Sequence, residues 1–441
     1  MTKTLGRRMA LMMPIGLLPL SLASCGDAKK ATAIGVQIPV QPETSPLEVA
    51  VNPPKITMPA AVALRDWPQS LCNPSHAAGN MSGPANLGQS WHVGIGAGGG
   101  YRQPLAASPI VAEGKIFAMD ANGKITAVKG ADGTQVWRTD TKPKHATELN
   151  IGGGLAYHEG LIYVSTGYSE LVAISPTDGK IIWRQKLDFP ARSAPAIGNG
   201  LVAVITQNDL LMTFLVKTGT PSWRFVGKIM DQPASVSVIG APAIDDGILV
   251  AGFSSGTLAA LDINSGTPIW EKSLASSFGQ SNPLDFSDIA AAPVIYGGVV
   301  YAISLGGSLQ AIDLRSGAKV WEHNAAGNQP VCAVGKFIYV LTLEQKLVAI
   351  HQDDGLVCWS LDMPAYKNMK AKTNPIQWNA PLMVNNLLLL TNDHSELAYV
   401  DPFTGTIGAT ARLFGPSDMT PIAAGYTLII LTRNATLAAY S

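Results

Sequence analysis

One phrase recurs along this chain and limits what it can fold into: an aliphatic residue, a spacer, usually Ala, five residues, Gly, three residues, Trp. It reads Ile125-Ala127-Gly133-Trp137, then Leu171-Ala173-Gly179-Trp183 and Leu211-Thr213-Gly219-Trp223. It continues as Leu258-Ala260-Gly266-Trp270, Leu309-Ala311-Gly317-Trp321 and Leu347-Ala349-Gly355-Trp359. A further copy, Leu397-Tyr399-Gly405, carries Ala409 in place of Trp, and another begins at Leu437-Ala439 and stops at Ser441. A second phrase, a small residue and Pro with Gly five places on, precedes them at Pro109/Gly114, Pro195/Gly200, Pro242/Gly247, Pro293/Gly298 and Pro330/Gly335. Leu155/Gly160, Pro381/Asn386 and Pro421/Gly425 are variants of it, which makes eight starts. Self-similarity at this period means one supersecondary unit stacked repeatedly on its own copies.

The chemistry of one unit follows from its residues. An alternating apolar run leads from the start phrase to a first Gly, which turns the chain into a second strand (residues 116–119, 162–164, 299–303). The aliphatic and Ala positions share one face of a third strand, and Asp, Ser or Thr before Gly forms the tight turn into a fourth. Ala suits the crowded place where neighbouring sheets converge, and Trp on the outermost strand covers the gap between them. Four short strands every 40–50 residues predict propeller blades, because a β-sandwich has no reason to repeat one phrase eight times. A content of 44 Gly and 30 Pro suits such a chain of short strands and turns. The repeat lacks the Gly-His and Trp-Asp pairs of WD40 blades, and no window sustains a helical period. The expectation is an all-β, eight-bladed β-propeller of four-stranded antiparallel blades over residues 63–441. Its last blade lacks a fourth strand, and Gln89-Ser90-Trp91-His92-Val93 carries the missing Trp. Pairing of that segment with the last blade would close the ring and remove an exposed edge.

The N-terminus reads as an export signal over residues 1–24. Lys3, Arg7 and Arg8 precede an apolar run from Met9 to Leu22, which ends in Leu22-Ala23-Ser24-Cys25. That ending resembles the lipobox of bacterial lipoproteins, and the resemblance implies acylation at Cys25. Sorting rules for lipoproteins imply outer-membrane delivery with Gly26 after the cysteine. Residues 25–62, rich in Ala, Pro, Val and Thr, are expected to form a flexible tether. Loss of the signal removes three bases and no acid, which leaves a net charge of −3 on the mature chain. Such a chain has no basic cluster for nucleic acid.

Candidate catalytic chemistry is sparse. Seven His residues are scattered without paired ligand spacing, and Asp353-Asp354 coincides with a repeat turn. Cys332 and Cys358 are expected on the innermost and outermost strands of one blade, roughly 14 Å apart, beyond the ~7 Å reach of a disulfide. Cys72 reads as an exposed thiol, and the run Gly96, Gly98, Gly99, Gly100 as a flexible loop.

The Asp/Ser-Gly-x-x-x-Trp phrase after aliphatic-x-Ala resembles the PQQ-like propeller repeat, from about residue 88 to the end. Asp66-Trp67-Pro68-Gln69 and Asn73-Pro74-Ser75-His76 look like the segment before the first blade in such proteins. Two groups use the repeat, quinoprotein dehydrogenases and the BamB family of outer-membrane protein assembly factors. The lipobox and eight compact blades are similar to the second. The adjacent Cys-Cys pair typical of the first is missing from the sequence. The BamB resemblance implies a non-catalytic lipoprotein without cofactor, metal or small-molecule substrate, held at the periplasmic face of the outer membrane. Its partner would be the periplasmic domains of the β-barrel assembly channel. In that family two loops on one face make the contact. Leu187 and Phe189 match the apolar positions of the first loop, with Pro190 where the family has Arg and Arg192 nearby. Asp288 matches one acid of the second loop, and Ala290 replaces the other. Leu187 and Phe189 are thus expected as apolar anchors and Asp288 as a charged rim contact. The alternatives are a PQQ-dependent periplasmic dehydrogenase or an adaptor for another envelope partner.

Overall fold

The computed structural model describes residues 47–84, 87–227, 240–274 and 288–441. Strands form where the repeat places them, in eight four-stranded antiparallel sheets. Blades 1 to 7 span residues 110–140, 153–186, 196–226, 243–273, 294–324, 332–362 and 382–412, and their four strands follow chain order from the innermost outward. Blade 8 takes three strands from residues 422–440 and its outermost strand, Gln89–Gly94, from the other end of the propeller. Trp91 pairs with Ala439 and Val93 with Leu437 in that seam, so the closure expected from sequence is what forms. The described residues contain no helix. One small hairpin, Tyr366–Asn368 with Thr373–Pro375, stands outside the blades in the link from blade 6 to blade 7.

The repeat residues explain the packing. Ala127, Ala173, Ala260, Ala311 and Ala349 are fully buried, as the convergence of neighbouring sheets requires. Each Trp lies on the turn Gly of the following blade. A Cβ added at Gly133 would come within 2.5 Å of Trp91, and one at Gly179 within 2.6 Å of Trp137. These glycines also hold positive φ angles of 72°. Both demands exclude a side chain there. The indole N–H then donates to the carbonyl three residues before that Gly: Trp137 to Pro176 at 3.0 Å, Trp270 to Leu314 at 2.8 Å, Trp321 to Gln352 at 2.7 Å. Trp183 is the exception among them, without a hydrogen-bond partner. The carbonyl in its position, Val216, accepts from the Tyr163 hydroxyl at 3.1 Å instead.

The missing Trp also has a physical reason. Ala409 would need a turn Gly in blade 8 to cover, and blade 8 has none, because no turn joins its third and fourth strands.

Strand order gives the ring two faces. One carries the turns at the first Gly and at Asp/Ser/Thr-Gly; we call it the turn face. The other, the loop face, carries the second turn of each blade and the links between blades.

Three expectations change. Residues 47–62, expected as part of the tether, lie along the propeller. Leu47 and Ile56 are buried in the cores of blades 5 to 7, and the Ala50 N–H donates to Val357 O at 2.9 Å. Cys72 is buried rather than exposed, beside Trp67 and Met81, and burial pushes its thiol up to about 12. The glycine run is closely packed: the Gly99 N–H donates to Arg433 O at 2.8 Å, and a Cβ at Gly99 would lie 2.6 Å from the Leu105 nitrogen. Its glycines allow close backbone approach. Cys332 and Cys358 are free thiols on the innermost and outermost strands of blade 6, as expected. Cys25 and the export signal lie outside the described residues.

Candidate functional site

The link from blade 2 to blade 3 (residues 187–195) crosses the loop face under tight backbone control. The Leu187 N–H donates to Ser169 O at 2.8 Å, Gln207 N–H to Pro190 O at 2.9 Å and Arg192 N–H to Ile205 O at 2.9 Å. Ala191 bridges Thr206, and the Ser193 hydroxyl accepts from Ile205 N–H at 3.2 Å. With both flanks pinned, the apex Asp188-Phe189 is held out rigidly. Phe189 is 38% exposed, so its ring is partly open to solvent at the apex.

The four sequence-derived contact residues do not share one surface. Phe189 faces solvent, whereas Leu187 is fully buried among Tyr163, Leu171 and Leu210. Arg192 and Asp288 are buried as well. This corrects the expectation of Leu187 as an exposed anchor and Asp288 as a rim contact. The physical reason is that the backbone bond at Leu187 turns its side chain into the blade 2–3 core. Asp288 is drawn inward by Arg192.

Arg192 is the centre of a buried ionic cluster. Its Nη1 lies 3.6 Å from Asp209 Oδ1 and its Nη2 4.0 Å from Asp288 Oδ2. Asp209 in turn accepts the Ser254 N–H at 3.1 Å and the Ser254 hydroxyl. One guanidinium thus ties together the 2–3 link, a turn of blade 3, a turn of blade 4 and the 4–5 link. Burial pulls the Arg192 pKa down, and the two carboxylates oppose that shift. A guanidinium in this setting remains charged at neutral pH. Arg192 and Asp288 join the two loops from beneath, and they position rather than touch.

The exposed surroundings of Phe189 were missed in the sequence. Asp188 Oδ2 lies 3.4 Å from Arg224 Nη1, and Val226 on the same outermost strand is exposed. A signal was available: an Arg follows the repeat Trp in blades 1, 2 and 3. Arg138 reaches Asp120 at 2.9 Å, Arg184 pairs with Glu170, and Arg224 pairs with Asp188. Of the three acids only Asp188 stands on an interblade link; Arg138 and Arg184 reach links through the carbonyls of Ile95 and Thr141.

Comparison with known proteins adds what geometry does not. A family model described as outer membrane protein assembly factor BamB matches residues 121–361, more than half of the chain. The chain belongs to this family. A BamB of Yersinia pestis is 27% identical over 362 residues, covering 80% of this chain and 88% of the relative. That of Escherichia coli K12 is 25% identical over 356 residues, 79% of this chain and 87% of the relative. The crystal structure of BamB from Moraxella catarrhalis superposes with a TM-score of 0.66 at 17% identity, over 81% of this chain and all of that one. A quinohemoprotein alcohol dehydrogenase from Comamonas testosteroni reaches 0.65 at 12% identity, over 86% of this chain and 81% of that one. At such identities both structures speak for the eight-bladed fold alone.

Proposed function

We propose that this chain is a non-catalytic lipoprotein scaffold of the outer-membrane protein assembly machinery. It is acylated at Cys25 and held at the periplasmic face of the outer membrane. It binds the periplasmic domains of the β-barrel assembly channel through the loop-face surface around Phe189. The observation that carries the reading is the match of a BamB family model to residues 121–361. The rigid apex at Asp188-Phe189 supports the site, since a preformed apolar anchor with a charged rim is what a protein interface uses at its centre. Asp188 and Arg224 form that rim, while Leu187, Arg192 and Asp288 hold it in place.

The test is co-purification from solubilised envelopes. The native chain should bring down the assembly channel. Phe189→Asp should lower recovery by about tenfold, with an unchanged melting curve. Full recovery with Phe189→Asp would move the contact elsewhere, and repeated absence of the channel from the native sample would reject the partner.

A further inference from the structure

Residues 64–76 cross the turn-face end of the central channel and meet the innermost strands of successive blades. An innermost strand has one free edge, facing the channel, and its backbone groups there need partners. Blades 1 to 5 each offer the N–H of the same repeat position: Val111, Tyr157, Ile197, Ile244 and Ile295. The acceptors follow in chain order: Trp67 O at 2.9 Å, Pro68 O at 2.7 Å, Gln69 Oε1 at 2.9 Å, Pro74 O at 2.7 Å and Ser75 O at 2.9 Å. At blade 3 a side chain stands in for the backbone, and Gln69 Nε2 completes the pairing by donating to Ile197 O at 3.1 Å. His76 Nδ1 lies 2.8 Å from Pro293 O. Beyond the five, Gly425 N–H donates to Leu64 O at 2.7 Å in blade 8, and Asn385 N–H to Met81 O at 2.8 Å in blade 7.

The sequence of the segment suits this task. Pro68 and Pro74 supply carbonyl acceptors without adding N–H groups that would themselves need partners. Leu71, Cys72 and His76 hold positive φ angles of 54°, 88° and 64°. Residues other than Gly persist there only where surroundings over-determine them. Above the segment lies a cavity of about 440 Å³ with Ser70 and Leu71 on its floor and Ala194, Ala241 and Ala291 in its wall. Its wall residues come from the interblade links, so it opens to the loop face.

We infer that residues 64–76 are a built-in peptide ligand of the channel: they fill a ring of five equivalent backbone donors, seal the turn-face end and leave a blind pocket that opens to the loop face. Among the described residues the segment stands in the path of a polypeptide threading the channel. Whatever the pocket takes enters and leaves on the face that presents Phe189. The importance of that face rests on the function proposed above, whereas the seal does not.

Native-state hydrogen exchange on the full chain, read at single amides, tests the seal. The amides of Val111, Tyr157, Ile197, Ile244 and Ile295 should exchange as slowly as the ladder amides of the second strands. Gln69→Ala should speed exchange at Ile197 by about tenfold, the loss expected for one hydrogen bond, and leave the other four unchanged. Fast exchange at the five sites in the native chain, or an Ile197 amide still protected in Gln69→Ala, would overturn the inference. Capture of the assembly channel is a separate readout, so the two readings fail independently.

Discussion

His76 shows what burial does to one residue. Enclosed by the segment and blade 5, its imidazole is held down near 4 from an ordinary 6.5, because desolvation outweighs the contact with Pro293 O. Between those values the unfolded chain binds a proton that the folded chain refuses, so stability is lost as pH falls from about 6.5 towards 4. Through the whole window the loss approaches about 3 kcal/mol. Denaturant midpoints measured from pH 7.5 to pH 4.5 should fall more steeply for the native chain than for His76→Asn, which tolerates the left-handed φ without titrating here. Parallel slopes would show that other groups carry the acid sensitivity. At this scale the sequence was legible where a residue's role is local. The repeat Gly and Trp follow from turn geometry and spacing, and so does the pairing of Asp with Gly in the turns. Leu187, Cys72 and Asp288 were not legible. Their burial depends on how a link between blades, or for Cys72 the segment before the first blade, is pinned, which no periodicity records.

Strands were legible because each carries its own alternation, and the seam at blade 8 because a Trp stood outside the repeat. The motifs at residues 66–69 and 73–76 marked a segment before the first blade, but its course across the channel was illegible for the opposite reason. Its residues bind through backbone groups and scattered polar side chains such as Gln69 and Asn80, a pattern without hydrophobic period, and the neighbouring low-aromatic stretch reads as a tether. The Trp-to-Gly contact gives a prediction at this scale. Trp91 rests on Gly133 and donates to Gly130 O at 3.2 Å, so Trp91→Ala should cost about 2–3 kcal/mol, less than a fully buried Trp. Ala409→Trp restores the repeat in letters only. With no turn Gly in blade 8 to receive it, the new ring stays in solvent, and the melting temperature should not rise. A rise comparable to the loss at Trp91 would mean that blade 8 offers a receiving surface after all.

At the scale of the whole molecule the ring has one covalent discontinuity among its blades. Blades 1 to 7 are each a continuous chain segment, whereas blade 8 joins Gln89–Gly94 to Thr436–Tyr440 by hydrogen bonds alone. Any opening that separates the ring's ends must break that ladder, which makes the seam the weakest link in an otherwise continuous closure. The hydroxyls of Ser90 and Ser441 meet there, and Ser441 N–H donates to Gly88 O at 3.0 Å. Replacing both serines by Cys should therefore form a bond that closes a very long loop. Three further cysteines, Cys72, Cys332 and Cys358, are held in the thiol form by burial, which raises their pKa values to about 12, 12 and 11 and makes them poor competitors. Cross-linking restricts the unfolded chain, so the oxidised double variant should gain about 2–4 kcal/mol over its own reduced form. The comparison uses denaturant midpoints with and without reductant in a single preparation. If oxidation forms the bond and the midpoint does not move, strain in the cross-linked seam cancels the restriction of the unfolded chain, and Ser90 and Ser441 are not held in bonding register.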